Sequence, residues 1–510
     1  MKKFKTFGAI YIGTYEVLLK IFEIRTESNQ LKEIDCLRMR TELARDIFYH
    51  KKVSFETLEH LIMALRDMKN TMKTYGVDAY DVVAGYALRS AENVYFVLDQ
   101  IRLHCDLEVQ IISNSEQRFL SYESTAQTPL FEQMVSSPTI MADVGGSSLQ
   151  ITLFENGKIV TTQHIMLGAF RVRENLKRLG QKADGMEQIY DMIRKEIGAF
   201  LNMFLKDTRP KYLILLNDQL LNVLRQMVSY KEKHLLSRDD FLRSMKKMGK
   251  DISYTVTGQS QMFDDPDEMF LPFYILCDSL IRELEFEGAY LPGTSVTEGM
   301  ALEYAYAHRY MKTAHDFEQD VLSAAWSIAQ RYGSYHPHLK AMDRMSVQIF
   351  DATKKQHGLK KRERLILRTA AILHDCGKYI SLSESPQCSY TIIMSSEILG
   401  LSHKEREMVA MIAAFNHKDD VGYELLSDHF TEAEYLVFLK LLAILRVANA
   451  LDRSHKQKFK NVTMSVQKQQ LIISISSEDS ITLEKGLFEE KADFFQNVMA
   501  LRPVIRECRR

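Results

Sequence analysis

Two stretches far apart in this chain are copies of one unit. Residues 8–25 and 139–155 both read as strand, short turn, strand, because alternating and β-branched apolar residues flank Gly13-Thr14 in one and Gly145-Gly146 in the other. Written without gaps, AIYIGTYEVLL beside MADVGGSSLQI sets Gly13 over Gly145, Thr14 over Gly146 and Tyr11 over Asp143. A duplicated hairpin of this kind predicts two similar lobes facing each other across a cleft, each turn offering backbone N–H groups to an anion. The other reading of the same residues is a pair of purely structural hairpins.

The segments between and after the repeats fit an α/β order. Leu58, Leu61, Leu65, Met68 and Met72 give 54–75 the spacing of a helix with one buried face. Strands are expected at 81–84, 110–113 and 212–216, and a long helix near 183–206, which together imply a mixed or parallel sheet. From about 303 helical periodicity takes over, with capping boxes at Ser402/Glu405 and Thr431/Glu434. Two strands around a Lys-Gln-Gln turn, 462–466 and 471–475, predict a small α+β tail.

Composition narrows the function classes. With 26% charged and 46% hydrophobic residues the chain is expected to fold throughout. Its formal net charge of -1 gives no global field for nucleic acid or an anionic membrane, so any anion site must be local. The six cysteines form no CxxC pair or zinc spacing, which fits reduced thiols in a cytoplasm. The N-terminus reads as strand rather than signal peptide, since Tyr11, Glu16 and Lys20 interrupt its apolar stretch. The most apolar later run, 435–451, carries Lys440 and Arg446 and is shorter than the roughly 20 residues of a bilayer span, so a soluble protein is expected.

In the second hairpin an acidic residue ends a strand just before Gly-Gly-Ser-Ser. Asp143 is thereby placed to hold Mg²⁺ while the turn N–H groups of Gly145 and Gly146 and the Ser147 hydroxyl receive phosphate oxygens. Here the sequence resembles the exopolyphosphatase/guanosine pentaphosphatase (Ppx/GppA) family. The pieces that carry the likeness are both hairpins, AGYALRSAEN at 84–93, IISNSEQRF at 111–119, LGAFRVREN at 167–175, and Glu298-Gly299, in the family's order.

The resemblance implies two actin-like ATPase (ribonuclease H-like) lobes, at 1–127 and 128–302, then an all-α HD-like domain at 303–456 and a small α+β tail at 457–510. It implies hydrolysis of terminal phosphates from linear polyphosphate or guanosine pentaphosphate with Mg²⁺, in a cytoplasmic homodimer without nucleic-acid or membrane partners. Gly13, Thr14, Arg89, Gly145, Gly146 and Ser147 fall on its phosphate-binding positions, and Arg171 also matches the family pattern. A guanidinium fork such as that of Arg89 suits bidentate phosphate contact.

The departures concern the chemistry. An aspartate of the family is Tyr11 here, the catalytic glutamate falls on Gln117, and the glutamate that orients water falls on Gln150. An amide cannot take a proton from water. Glu116 is engaged in a Ser113-x-x-Glu116 capping box and is turned about 100° from position 117 along a helix. The family's glycine-rich third phosphate loop reads Leu216-Asn217-Asp218-Gln219, and its Arg-Glu-Gly reads Thr297-Glu298-Gly299. Losing general-base catalysis removes roughly 10²–10⁴-fold in rate, so weak or absent turnover is expected.

In the helical part, TAAILHDCGKYI resembles an HD phosphohydrolase motif, with His338 one helix earlier. The resemblance implies a divalent metal on His338, His374 and Asp375, but the later aspartate is Asn449, with Asp452 three residues on. The alternative is a hydrogen-bonded His-Asp pair at a helix end. Basic clusters at 354–355, 360–364 and 456–460 read either as guides for a polyanion or as solvated helix ends. Three functions follow: a working phosphohydrolase, a non-catalytic protein that binds polyphosphate or guanosine nucleotides, or an HD-type nucleotide phosphohydrolase.

Overall fold

The computed structural model describes residues 4–41, 43–179, 184–206, 208–217, 220–221, 224, 235–256, 269–313, 315–418, 421–459 and 461–507, with the backbone alone over 251–256. The chain divides into two compact units, Met1–Asp316 and Phe317–Arg510.

In the first unit, β1 (Lys5–Ile12), β2 (Glu16–Arg25), β3 (Gln30–Arg40), β4 (Ala79–Ala84) and β5 (Gln110–Ile111) form a sheet in the order β3-β2-β1-β4-β5. The hairpin strands pair antiparallel, whereas β4 and β5 add in parallel. A second sheet holds β6 (Thr139–Val144), β7 (Leu149–Glu155), β8 (Lys158–Ile165), β9 (Tyr212–Leu216), β10 (Leu236–Ser237) and β11 (Gly288–Tyr290), in the order β10-β11-β9-β6-β7-β8. Leaving out β10, the two orders and directions are the same, as an actin-like pair of lobes requires. The likeness reaches fine detail. The register shifts between Ile21 and Phe22 in one sheet and between Leu153 and Phe154 in the other, and these are equivalent positions of the repeat.

Both faces of the first sheet are buried, so β1 and β2 are nearly continuous apolar runs. Ile10, Ile12, Val17 and Leu19 pack under helix Phe55–Tyr75, whose Leu58, Leu61, Leu65 and Met68 turn inward. Strand β5 ends at Ile111 rather than 113, because the Ser113 hydroxyl accepts the Glu116 N–H (3.2 Å) and starts helix Asn114–Ala126.

The expected end of the second lobe, at 302, falls within helix Val296–Ala307, which packs on the first lobe. Val296, Met300, Ala301 and Ala305 bury against Phe7, Ala9 and Phe22 on the sheet face opposite the long helix. Gly299 permits the approach, since a Cβ there would lie 2.3 Å from the Leu120 carbonyl oxygen. Glu298 pairs with the buried Lys20 (2.5 Å) and caps the helix through the Ser295 N–H (2.9 Å).

The second unit is helical up to residue 451. Its innermost helix, Glu432–Leu451, is apolar on nearly all sides from Leu441 onward because neighbouring helices enclose it. Among the described residues, no helix is long and apolar enough to cross a membrane. The capping boxes at Ser402 and Thr431 both form. After them, β12 (Asn461–Gln467) and β13 (Gln470–Ser476) make a hairpin, and β14 (Arg502–Glu507) joins β13 in parallel after helix Thr482–Met499.

Candidate functional site

Each copy of the hairpin closes through the same four-residue loop. The Gly13 N–H donates to the Glu16 carbonyl (2.9 Å) in one, and the Gly145 N–H to the Ser148 carbonyl (3.0 Å) in the other. Both loops face one cavity of about 210 Å³, whose wall also carries Gln117 and Asp143. Gly13, Thr14, Gly145, Gly146, Ser147, Gln117 and Asp143 are thus brought together, as a paired phosphate turn needs.

Glycine at 146 has a steric cause: a Cβ would lie 2.3 Å from Cε2 of Tyr15, whose ring covers the turn. The second turn is also anchored from behind. Ala169 and Phe170, the first residues of helix Ala169–Leu179, donate their N–H groups to the Gly145 and Gly146 carbonyls (3.2 and 2.9 Å). Gly168 allows this contact, because a Cβ there would sit 2.2 Å from the Gly146 oxygen.

Arg89 and Gln150 do not line this cavity. The Arg89 guanidinium donates to the Ile112 carbonyl (2.5 Å) and to Asn114 Oδ1 (2.6 Å), and burial lowers its pKa. Those contacts fix the start of helix Asn114–Ala126, which carries Gln117. Gln150 sits opposite Asp143 in the β6–β7 ladder, 3% exposed, and its Oε1 has no hydrogen-bond partner among the described residues. Arg171 donates to the Met166 carbonyl (2.7 Å).

Tyr11 occupies the position equivalent to Asp143 in the other lobe. A Cβ on Gly85 would meet the Tyr11 hydroxyl at 2.6 Å and Gln117 Oε1 at 2.8 Å, so phenol and amide press on the same point of backbone. Burial and the Asp143 carboxylate push the phenol pKa up, against the pull of Arg89. The hydroxyl therefore stays neutral and can serve as a donor but not as a metal-holding anion.

Arg118, which sequence reasoning passed over, lines the cavity beside Gln117 and donates through Nη2 to the Ser148 hydroxyl (3.0 Å), joining the first lobe to the second turn. The one signal for it is adjacency in IISNSEQRF. Asn217 also lines the cavity and donates to the Val144 carbonyl (2.9 Å), while Asp218 and Gln219 lie outside the described residues. A smaller recess of about 130 Å³ shares Thr14, Gly146 and Ser147 with the cavity, and Phe48, Phe170 and Tyr86 give it aromatic walls. The Phe48 and Phe170 rings are 4.8 Å apart.

The second unit gathers His338, His374 and Asp375. His338 Nδ1 faces Asp452 Oδ2 (2.8 Å), and His374 Nδ1 faces the Ala371 carbonyl (2.9 Å). Both partners are acceptors, so both rings carry their proton on Nδ1 and turn the Nε2 lone pair inward. The two Nε2 atoms are 3.3 Å apart, and Asp375 Oδ1 is 3.4 Å from that of His374. Two lone pairs so close need a proton or a cation between them. Burial lowers the His374 pKa despite Asp375, which favours the neutral ring. His455, missed in the sequence, stacks on His338 at 3.7 Å, and His338, Asp375 and His455 offer ligand atoms within 4.8 Å of one another. Asp452 follows the end of its helix and orients His338, while burial would raise its pKa but the His338 and Gln457 hydrogen bonds lower it. In the basic clusters, Arg364 forms a two-pronged pair with Asp351 (2.9 Å each) and Arg362 bonds Glu405 (2.5 and 2.6 Å).

Known proteins resemble the chain along most of its length. A guanosine-5'-triphosphate,3'-diphosphate pyrophosphatase from Aeromonas hydrophila subsp. hydrophila is 21% identical over 450 residues, 87% of this chain and 86% of that protein. Its counterpart from Aeromonas salmonicida is 20% identical over 493 residues, 95% and 93% of the two chains. Among solved structures, the Aquifex aeolicus Ppx/GppA family member gives a TM-score of 0.49 at 16% identity, covering 61% of this chain and 100% of that one. An exopolyphosphatase from Cytophaga hutchinsonii gives 0.49 at 16%, covering 60% and 100%. The model of domain III of Ppx/GppA phosphatases matches 303–492, and that of the Ppx/GppA phosphatase family matches 21–303. The latter span exceeds half of the 510 residues, and the chain belongs to the Ppx/GppA phosphatase family.

Proposed function

We propose that the cleft of the first unit binds the phosphate groups of linear polyphosphate or guanosine pentaphosphate and releases the terminal phosphate slowly. The observation that carries this reading is the pair of equivalent turns facing one cavity in which the position for a base is Gln117. Turn N–H groups, the Thr14 and Ser147 hydroxyls and Arg118 supply donors to phosphate oxygens. Gln117 can orient a water but cannot accept its proton.

Among the described residues, Asp143 and Glu16 are the carboxylates on the cavity wall, and Glu16 is bridged to Arg38 (2.9 Å). That donor set fits Mg²⁺ arriving with substrate phosphates, which needs only one or two protein carboxylates, with Asp143 as the protein ligand. Such an ion would neutralise charge on the transferring phosphate. The aromatic recess that continues from Thr14, Gly146 and Ser147 favours a nucleoside over a bare phosphate chain. A homodimer in the cytoplasm goes with this reading.

The second reading is a non-catalytic binder of the same ligands, favoured by the loss of both bases. Phosphate release from guanosine pentaphosphate and polyphosphate with Mg²⁺ decides: turnover equal to that of a relative with both glutamates intact overturns the slow-enzyme reading, and tight binding with none at all selects the binder. For the helical unit we propose an HD-like arrangement in which the inward lone pairs of His338 and His374, with Asp375, hold one divalent cation. Purified protein without stoichiometric metal, after incubation with Mn²⁺ or Zn²⁺, rejects it.

A further inference from the structure

A recess of about 470 Å³ lies wholly within the helical unit. Its described lining carries four cations, Lys378, Arg446, Arg453 and Lys491, against one carboxylate, Glu490. At its wall stands Asn416, 2% exposed, with neither Nδ2 nor Oδ1 hydrogen-bonded to any described residue. Buried side-chain amides are nearly always bonded, so an orphaned one facing a cationic recess marks the place of a missing partner.

The charges are held in position. The Arg446 guanidinium donates to the carbonyls of Phe415 (2.8 Å) and Lys418 and lies 4.4 Å over the Phe494 ring. Lys378 is drawn to Asp375 (2.6 Å). Helix Ser385–Ser395, 11 residues long, begins on the same wall with Ser385 and Pro386, which adds the positive end of its dipole. One side is apolar, where Leu382 and Leu487 are 82% and 41% exposed. The volume falls in the range of roughly 300–1,000 Å³ typical of small-ligand pockets.

We infer that this recess binds a small phosphate-bearing anion, with the Asn416 amide donating to a phosphate oxygen and Arg453, Lys491 and Lys378 balancing its charge. The site is separate from the cleft and does not depend on the function proposed there. An excess of cations with one carboxylate excludes a metal as the primary occupant, and the apolar side gives room for a base or sugar.

The test uses the full chain with the cleft blocked by Gly146→Val, whose side chain collides with Tyr15. Calorimetric titration with pyrophosphate, ADP and GDP should find one site per chain, and Arg453→Glu with Lys491→Glu should weaken it at least about tenfold, the equivalent of one charge-assisted hydrogen bond. Arg453 is exposed and Lys491 is half-buried in a pair with Glu490, and the unfolding midpoint checks that the fold is kept. In the protein with an open cleft, the same pair of substitutions should remove one binding event and leave any cleft binding in place. Tighter binding of the nucleoside diphosphates names a nucleotide as the ligand, and equal binding names the phosphate groups alone. Absence of binding in the Gly146→Val protein together with an unchanged stoichiometry in the open protein, or affinity that survives charge reversal, overturns the inference.

Discussion

Gln117→Glu changes one nitrogen to one oxygen at the point where the cleft lacks a base. Glu116 cannot do the work, because its carboxylate receives the Ser113 N–H at 2.7 Å in the helix cap. A base positioned to activate water is worth roughly 10²–10⁴-fold. The Tyr11 hydroxyl packs against the same backbone point as position 117 and is a neutral donor, so it would bond the new carboxylate and lower its basicity. With Tyr11 rather than a carboxylate at the position equivalent to Asp143, the gain should fall at the lower end, about 10²-fold in kcat with little change in KM. Gln150→Glu is a different case. Its site is 3% exposed and its Oε1 has no described partner, so a charge there costs stability, on the order of 1–3 kcal/mol. The double variant should therefore melt earlier than the single one. The assay is steady-state phosphate release from guanosine pentaphosphate and polyphosphate with Mg²⁺, beside calorimetric binding. A folded Gln117→Glu protein that binds as before, yet gains less than about tenfold, would refute the argument that the missing base limits the rate.

Other outcomes are equally specific. Gly146→Ala places a Cβ 2.3 Å from the Tyr15 ring, and overpacking of this kind costs about 1–3 kcal/mol, read as a lower unfolding midpoint and weaker phosphate binding. Burial, with Glu303 nearby, raises the Glu123 carboxyl from 4.5 to about 8. The folded chain keeps a proton there that the unfolded chain loses, so stability should fall as pH rises from about 4.5 to about 8 and then level off. Glu123→Gln should flatten that slope and stabilise the protein above pH 8 by a few kcal/mol at most, on the order set by about 1.4 kcal/mol per unit, as urea midpoints across the range would reveal. Asp452→Asn removes the carboxylate that orients His338 and should weaken any Mn²⁺ or Zn²⁺ binding about 10–100-fold, with an unaltered affinity arguing against metal at that cluster.

The repeat was legible because a copied hairpin copies its apolar strands and its glycine turn, and the bulge is copied with them. Strand β9, which the sequence placed at 212–216, begins and ends at those residues because a central parallel strand buried on both faces reads as a continuous apolar run. Long-range choices were not legible. Whether Val296–Ala307 packs on the first or second lobe depends on which sheet face is still uncovered, and Gly299 against the Leu120 carbonyl settles it. Arg118 reaching Ser148 and His455 stacking on His338 join residues 30 and more than 100 positions apart, which no local pattern encodes. Arg89, expected at the phosphates, has its fork bonded to Ile112 and Asn114 at the start of the helix that carries Gln117, a contact no motif encodes.

The anchoring of the second turn changes the thermodynamic character of the cleft. Its Gly145 and Gly146 carbonyls are already bonded to Ala169 and Phe170, so the loop is rigid before any ligand arrives. A preorganised loop loses little conformational freedom on binding, and the unfavourable ordering entropy common in loop-mediated recognition should be small here. That entropy was surrendered during folding instead. Substitutions that loosen the Gly168–Phe170 junction would then leave every phosphate contact chemically intact and still weaken binding, with the loss appearing in the entropy rather than in the enthalpy.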